Sequence, residues 1–274
     1  MERKYSGKIL KAYASEKGDH FHILPPFKIP DLKEIGFKLS NIPLPSAQIS
    51  ESKLTMYGET RDYPYLDSTS RIGIRLRFGT ISIRKVVKKA IQLNDTWLNE
   101  LIWREFFMQL LFHFPYVAYE SFNPRFKNMP WRYHEEDFKK WREGKTGYPL
   151  VDAGMRELNQ TGFMHNRVRM VAASFLTKHL LIDWRMGEKY FAEKLLDYEL
   201  SSNNGNWQWA AGTGADAQPF FRIFNPELQQ QKFDPEFRYI KKWLPEFGTF
   251  SYPAPMIEHK KAVDRAKQAF NVLR

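Results

Sequence analysis

The sequence predicts a nearly all-α fold behind an irregular, proline-rich front. From Ser70 onward apolar residues recur at intervals of three and four, and long alternating β-branched runs are absent. Pro25, Pro26, Pro30, Pro43, Pro45 and Pro64 punctuate the first 68 residues, where periodicity is weak. With 274 residues the chain is long enough to bury a sizeable core without a covalent staple. Residues 1–56 are expected to form a linker or wrapper, and residues 57–274 a single helical domain. No internal repeat, low-complexity run or nucleotide-binding strand–turn–helix unit is visible.

The first clear helix runs from Ile83 to Leu93. A stronger one, Asn94 to Phe114, follows and is stopped by Pro115, which cannot continue the hydrogen-bond ladder. Asp137 to Trp141 is a short helix, and Pro149 to Gln160 another, with proline in its first position and Gly162 just past its end. His165 to Asp183 reads as an apolar helix, Gly187 to Leu200 as an amphipathic one, and Ser201 to Asn206 as a Ser/Asn/Gly loop.

Composition narrows the function classes. There is no cysteine, which excludes a disulfide framework, a thiolate metal site and a Cys nucleophile, and is compatible with a reducing cytoplasm. No metal site is expected. Met1 to Leu10 lacks the apolar stretch of a signal peptide, and Arg104, Glu105, Gln109 and His113 interrupt the apolar segment Leu101 to Tyr119. A soluble, cytoplasmic protein with no membrane partner is therefore expected. Forty-two Lys and Arg against 31 Asp and Glu leave a net charge of +11, which suits a polyanion such as nucleic acid. Aromatic residues make up 16% of the chain, as an aromatic core or a site that stacks planar ligands would require.

Four clusters carry chemistry. Glu100, Trp103, Arg104 and Phe107 fall at i, i+3, i+4 and i+7, so a carboxylate, an indole and a guanidinium share one helix face. The plainer account is a core tryptophan with an ion pair at its rim. Asn166 and Met170 stand one turn apart, flanked by Arg167 and Arg169, a set able to meet a base edge, a ring and phosphates. A helix cap, a core filler and solvated arginines would look the same. Asp197 to Trp209 combines acidic residues, Asn203-Asn204-Gly205 and a Trp-x-Trp pair, Trp207 and Trp209. Thr69-Ser70-Arg71 offers hydroxyls, backbone N–H groups and a guanidinium to a phosphate at a helix start.

Read together, seven ordered blocks resemble the photolyase/cryptochrome family, most nearly its class I cyclobutane pyrimidine dimer photolyases. They are Arg61-Asp62-Tyr63-Pro64 with Thr69-Ser70-Arg71, Glu100 to Phe106, Gly144 to Pro149, Met164 to Arg167, Asp183-Trp184-Arg185, Asn203-Asn204-Gly205, and Phe221 to Pro226. The resemblance spans roughly Tyr57 to Lys232, and Pro253 to Ala262 is similar to the family's carboxy-terminal tail.

The resemblance implies an all-helical domain holding FAD, with damaged DNA containing pyrimidine dimers as partner and a lesion flipped into a cavity above the flavin. It assigns Tyr57, Thr69, Ser70 and Arg71 to the FAD diphosphate, Asp197 to the ribityl and flavin polar edge, and Asn203 to the flavin N5. Plant photoreceptors of the family typically carry Asp at the Asn203 position and animal ones Cys, so Asn favours repair over signalling. Glu100, Trp103, Asn166, Met170 and Trp209 would line the lesion cavity as its catalytic set. Trp207, Trp184 and Trp131 match an electron-transfer chain leading outward, although for Trp184 core packing explains the position nearly as well. Arg61, Arg167 and Arg222 would meet DNA phosphates. Light-excited reduced flavin would give the dimer an electron and recover it, with no net redox change.

Three positions depart from the family pattern: Gly73 stands where many relatives have Ser, Glu199 where a shorter Asp is frequent, and Phe163 where Trp is common. The α/β antenna domain that precedes the helical domain in full-length members is expected to be absent here, with no antenna chromophore, and a monomer is expected. The rival readings are a flavin photoreceptor, told apart by Asn203 and the Glu100 set, and a cofactor-free helical nucleic-acid binder, which would be colourless.

Overall fold

The computed structural model describes residues 25–46, 50–217, 219 and 222–272. Residues 1–24 of the expected wrapper, with the start read for a signal peptide, lie outside them, as does Phe221 of the seventh block. Residues 25–46 contain no helix or strand and are exposed almost throughout. Among the described residues there is no strand, only an isolated bridge between Arg132 and Ile182.

The front of the domain is built from short helices, α1 (Glu51–Thr55), α2 (Tyr57–Thr60) and α3 (Gly73–Arg77). Next comes α4 (Ile83–Leu93), with the predicted bounds, burying Val86 and Ala90 and leaving Lys85 and Lys88 in water. α5 (Asp95–His113) starts where Asn94 accepts the Trp97 N–H at 3.1 Å, and a 3₁₀ turn at Pro115–Ala118 follows it. α6 (Glu135–Glu143) carries three acids in its first turn and closes on Gly144 at φ 63°, a left-handed conformation that favours glycine. α7 (Pro149–Thr161) has the predicted proline start and glycine stop.

Three predicted elements are corrected. The apolar helix expected over His165 to Asp183 is α8 (Asn166–Ser174) followed by a π-turn at Phe175–His179. There the ladder widens so that Leu180 N–H reaches Phe175 O at 3.0 Å, and Leu181 then turns to φ 53°. The amphipathic helix expected over Gly187 to Leu200 is α9 (Trp184–Lys194), capped by Asp183. It ends early because Leu196 N–H turns aside to Gly162 O at 2.9 Å.

The third correction is the loop expected at Ser201 to Asn206, which is the first half of α10 (Leu200–Ala211). Glu199 caps it, accepting the backbone N–H groups of Ser201 at 2.9 Å and Ser202 at 3.0 Å. The asparagines satisfy their amides on neighbouring elements: Asn204 donates to Val117 O at 2.9 Å, and Asn203 bonds Glu188 of α9. Tertiary partners thus override turn propensity. The chain finishes with α11 (Pro226–Phe233), α12 (Arg238–Trp243) and α13 (His259–Asn271).

α10 packs against α5, α8 and α9 and forms the centre of the domain. Two glycines permit this approach. A Cβ on Gly205 would lie 2.1 Å from Phe107 Cδ1, and one on Gly187 would lie 2.2 Å from Trp207 Cη2. The main core joins α6 to α10 through Trp141, Met155, Phe175, Trp184, Phe191 and Trp207. A second cluster, with Leu54, Val86 and Trp97, fixes the front helices to α5. Among the described residues no helix is long and apolar enough to cross a membrane.

Candidate active site

Helices α5, α8 and α10 converge on two cavities that share a wall. The outer, about 860 Å³ counted to its mouth, is lined by Arg61, Glu100, Trp103, Arg104 and Phe107 together with Asn166, Met170, Ser202, Asn206 and Trp209. The last five also line the inner, more enclosed cavity of about 580 Å³, whose other walls include Arg169, Phe191, Asp197, Tyr198, Glu199, Asn203 and Trp207. The five proposed lesion residues therefore share one cavity, and Asp197 and Asn203 stand behind its wall.

Local hydrogen bonding fixes this wall. His165 caps α8 by accepting the Arg167 N–H at 3.2 Å, and burial, followed by the nearby Arg169, pushes its imidazole down to about 4, keeping the ring neutral for this task. Asn166 Nδ2 lies 3.9 Å from Met170 Sδ. Trp103, 41% exposed, is braced edge-on by Phe106 and tilted against Phe107 where it lines the outer cavity.

In the inner cavity Arg169 Nη2 bonds both oxygens of Asp197, at 3.1 and 3.0 Å, and Arg169 Nε donates to Met164 O at 2.7 Å. Burial alone would raise the Glu199 carboxyl, but the hydrogen bonds from Ser201 and Ser202 outweigh it and hold that group below the usual carboxylate range. Asn203 Nδ2 donates to Glu188 O at 3.1 Å and to Glu188 Oε1 at 2.9 Å. A backbone carbonyl can only accept, so the nitrogen end of the amide must face Glu188. Asn203 Oδ1 is left as an acceptor with no partner among the described residues.

Other expected residues lie apart. Thr69, Ser70 and Arg71 line a separate shallow cavity with Ser50, Lys53 and Asp67. Arg71 lies 4.6 Å from the Phe163 ring centre, which Arg169 of the inner cavity approaches from 5.5 Å. Tyr57 is packed in the front core rather than in either cavity wall, and burial, with Glu100 nearby, pushes its phenol up to about 12. A Cβ at Gly73 would meet Asp197 Cβ at 3.0 Å, so the small residue lets α3 close against the inner site.

Trp207 borders the inner cavity, Trp184 is fully buried, and Trp131 is half-buried against Phe270 at 6.2 Å. Among the described residues, the rings paired with Trp207 are Phe191 at 5.0 Å and Trp141 at 6.1 Å. Of the expected phosphate arginines, Arg222 is exposed, Arg167 is paired with Asp62 at 2.8 Å and stacked on Phe233, and Arg61 is paired with Glu100. Glu188 and Trp141 were missed as site residues. Glu188 lies 15 residues from Asn203, and no periodicity links positions on adjacent helices.

Residues 97–251 match the family described as the FAD binding domain of DNA photolyase. The chain is 42% identical to the deoxyribodipyrimidine photo-lyase of Escherichia coli over 247 residues, covering 80% of this chain and 52% of that protein. A bacterial class III photolyase from Agrobacterium tumefaciens superimposes with a TM-score of 0.77 at 43% identity, over 81% of this chain and 53% of that one. The cryptochrome of Synechocystis does so with a TM-score of 0.72 at 36% identity, over 80% and 52%.

The chain belongs to the photolyase/cryptochrome family and contains its FAD-binding helical domain. It spans about half the length of the relatives it matches.

The residues present fit FAD. The inner cavity is enclosed and aromatic on one side, Asp197 and Arg169 give it a polar edge, and Asn203 Oδ1 offers an unfilled acceptor.

Proposed function

We propose that this chain is the catalytic part of a deoxyribodipyrimidine photolyase that uses light to split cyclobutane pyrimidine dimers in damaged DNA. The observation that carries the reading is the pair of cavities with a common wall, one suited to FAD and the other open to solvent and edged by Glu100, Trp103, Asn166, Met170 and Trp209. When bound in its reduced form, FADH⁻, and excited by light, FAD supplies a transferable electron. The chain's own residues do the rest. Trp103 and Trp209 pack on the pyrimidine rings, Asn166 hydrogen-bonds a base edge, and Met170 fills the remaining surface. Glu100, in its protonated form, donates a hydrogen bond to a pyrimidine carbonyl as negative charge develops on that oxygen, which stabilises the charge.

In this reading Asp197, Asn203, Tyr57 and Thr69-Ser70-Arg71 hold the cofactor, and Trp207, Trp184 and Trp131 carry electrons outward. Arg61, Arg167 and Arg222 meet DNA phosphates, with residues 57–274 as the working domain, residues 1–56 as its wrapper, and the protein monomeric and cytoplasmic. No antenna chromophore is required for this chemistry. A blue-light photoreceptor without repair activity is the second reading, favoured by the likeness to the Synechocystis cryptochrome.

The test is to photoreduce the purified protein without oxygen, add thymine-dimer DNA, illuminate, and follow absorbance at 260 nm, which rises as intact thymines return. A light-dependent rise that falls at least about a hundredfold in rate in Glu100→Ala/Asn166→Ala is expected, the loss corresponding to roughly 3 kcal/mol. A protein that holds FAD yet gives no rise would move the assignment to the photoreceptor.

A further inference from the structure

Arg61 lines the outer cavity as the C-cap residue of α2, and its Nη1 is ion-paired with Glu100 Oε1. Its approach to Asp62 is longer, 3.8 Å from Nε, because Asp62 is committed to Arg167 at 2.8 Å. Arg167 is in turn anchored 4.2 Å over the Phe233 ring. The four groups form a quartet of two cations and two carboxylates, with side chains 17 to 37% exposed. A phosphate that reaches this quartet meets a neutral cluster, and it can take the Arg61 guanidinium only by displacing the Glu100 carboxylate. The replaceable contact is Arg61 to Glu100: Arg167 is pinned by Asp62 at 2.8 Å with the Phe233 ring 4.2 Å away, whereas the ring beside Arg61, Tyr57, lies farther off at 5.5 Å.

We propose that Arg61 is a positioning residue that changes partners: Glu100 holds it in the free protein, and a DNA backbone phosphate takes it over on docking, which frees the Glu100 carboxyl inside the cavity for the flipped base. This rests on the DNA reading above and deepens it. Docking and the arming of Glu100 become one event, and an undamaged strand must compete with Glu100 for the same cation.

The test is a double-mutant cycle on binding of a labelled, undamaged oligonucleotide, measured in the dark by fluorescence anisotropy across a salt series, with folding checked by circular dichroism. Glu100→Gln keeps the shape and removes the competing charge. It is expected to tighten binding about five- to tenfold, and to do so only while Arg61 is present, so that Arg61→Gln abolishes the gain. The slope of log affinity against log salt should steepen in Glu100→Gln and return in the double variant, a change that a purely structural role for Arg61 would not produce. Wild-type binding with no gain from Glu100→Gln, or an equal gain in both backgrounds, would overturn the partner exchange alone. A wild-type protein that binds no DNA would overturn it together with the reading beneath it.

Discussion

Asn203 is held from one side only. Its nitrogen is taken by the backbone carbonyl and carboxyl of Glu188, and that carboxyl is itself raised by burial, the Asn203 hydrogen bond partly offsetting the rise. The acceptor end is therefore presented at a fixed angle, which would suit a ring N–H of a bound flavin. Asn203→Asp would set two carboxyl groups against each other, and they can coexist only by sharing a proton. FAD retention, read from absorbance near 450 nm against 280 nm, should then become pH-dependent, kept in acid and weakened roughly tenfold or more at neutral pH by an unsatisfied buried group. Asn203→Asp/Glu188→Gln should recover it, because a glutamine can donate where the glutamate cannot. Equal retention by all three proteins at every pH would remove Asn203 from the cofactor's surroundings.

α10 carries Ser202, Asn203, Asn206, Trp207 and Trp209 into the cavities, so its capping and seating govern the site. Glu199→Ala removes the acceptor for two backbone N–H groups and should cost about 1–2 kcal/mol in urea unfolding. Gly205→Ala drives a methyl into the Phe107 ring and should cost about 1–3 kcal/mol, with part regained in Gly205→Ala/Phe107→Leu. The same helix shows where sequence reading stops. Ser-Ser-Asn-Asn-Gly has the composition of a turn, and what makes it helical is Glu199, Glu188 and Val117, two of them on other elements. The π-turn at Phe175–His179 was invisible for a similar reason, since its apolar residues fit an ordinary helix equally well. By contrast α4 and α7 declare themselves through period, proline and glycine. The site divides in the same way. Glu100 with Trp103 and Asn166 with Met170 are legible because each pair sits one turn apart on a single helix, whereas Arg169 with Asp197, 28 residues apart, needs the fold.

At the scale of the whole molecule, the π-turn and α13 form a joint rich in basic side chains, of which Lys178 and His179 are buried. His179 Nε2 meets His259 Nδ1 at 2.8 Å, Arg265 bonds the His179 carbonyl, and Lys178 Nζ donates to Ala211 O at 2.6 Å while lying 3.7 Å from the Phe270 ring centre. Ala211 ends α10, so Lys178 completes that helix's C-terminus and ties it to α13. No carboxylate pairs with this lysine among the described residues, and burial pushes its ammonium down to about 7. An unfolded chain keeps a lysine proton up to about pH 10.4, so between these limits the unfolded state holds more protons and stability rises with pH, by at most about 1.4 kcal/mol per unit. Above pH 10 the sign reverses, because Tyr57, pushed up mainly by burial to about 12, keeps its proton when an unfolded tyrosine has lost it. Below about pH 6.5 the sign is again that of a buried base: His165 and His179, pushed down by burial to about 4 and 3, resist the protons that unfolded histidines accept, and stability is lost as the solution is acidified. Chemical unfolding at pH 6, 8 and 9.5 should therefore give a rising midpoint. Lys178→Met keeps the length of the side chain but gives up both the charge and the bond to Ala211 O. It should match the wild type most closely at pH 6, where the wild type bears the cost of a buried ammonium, and fall behind it by about 1 kcal/mol or more at pH 9.5, where a neutral amine still donates its hydrogen bond. Parallel curves for the two proteins would mean that Lys178 keeps its proton throughout this range and that its charge is stabilised by the helix end and the Phe270 ring.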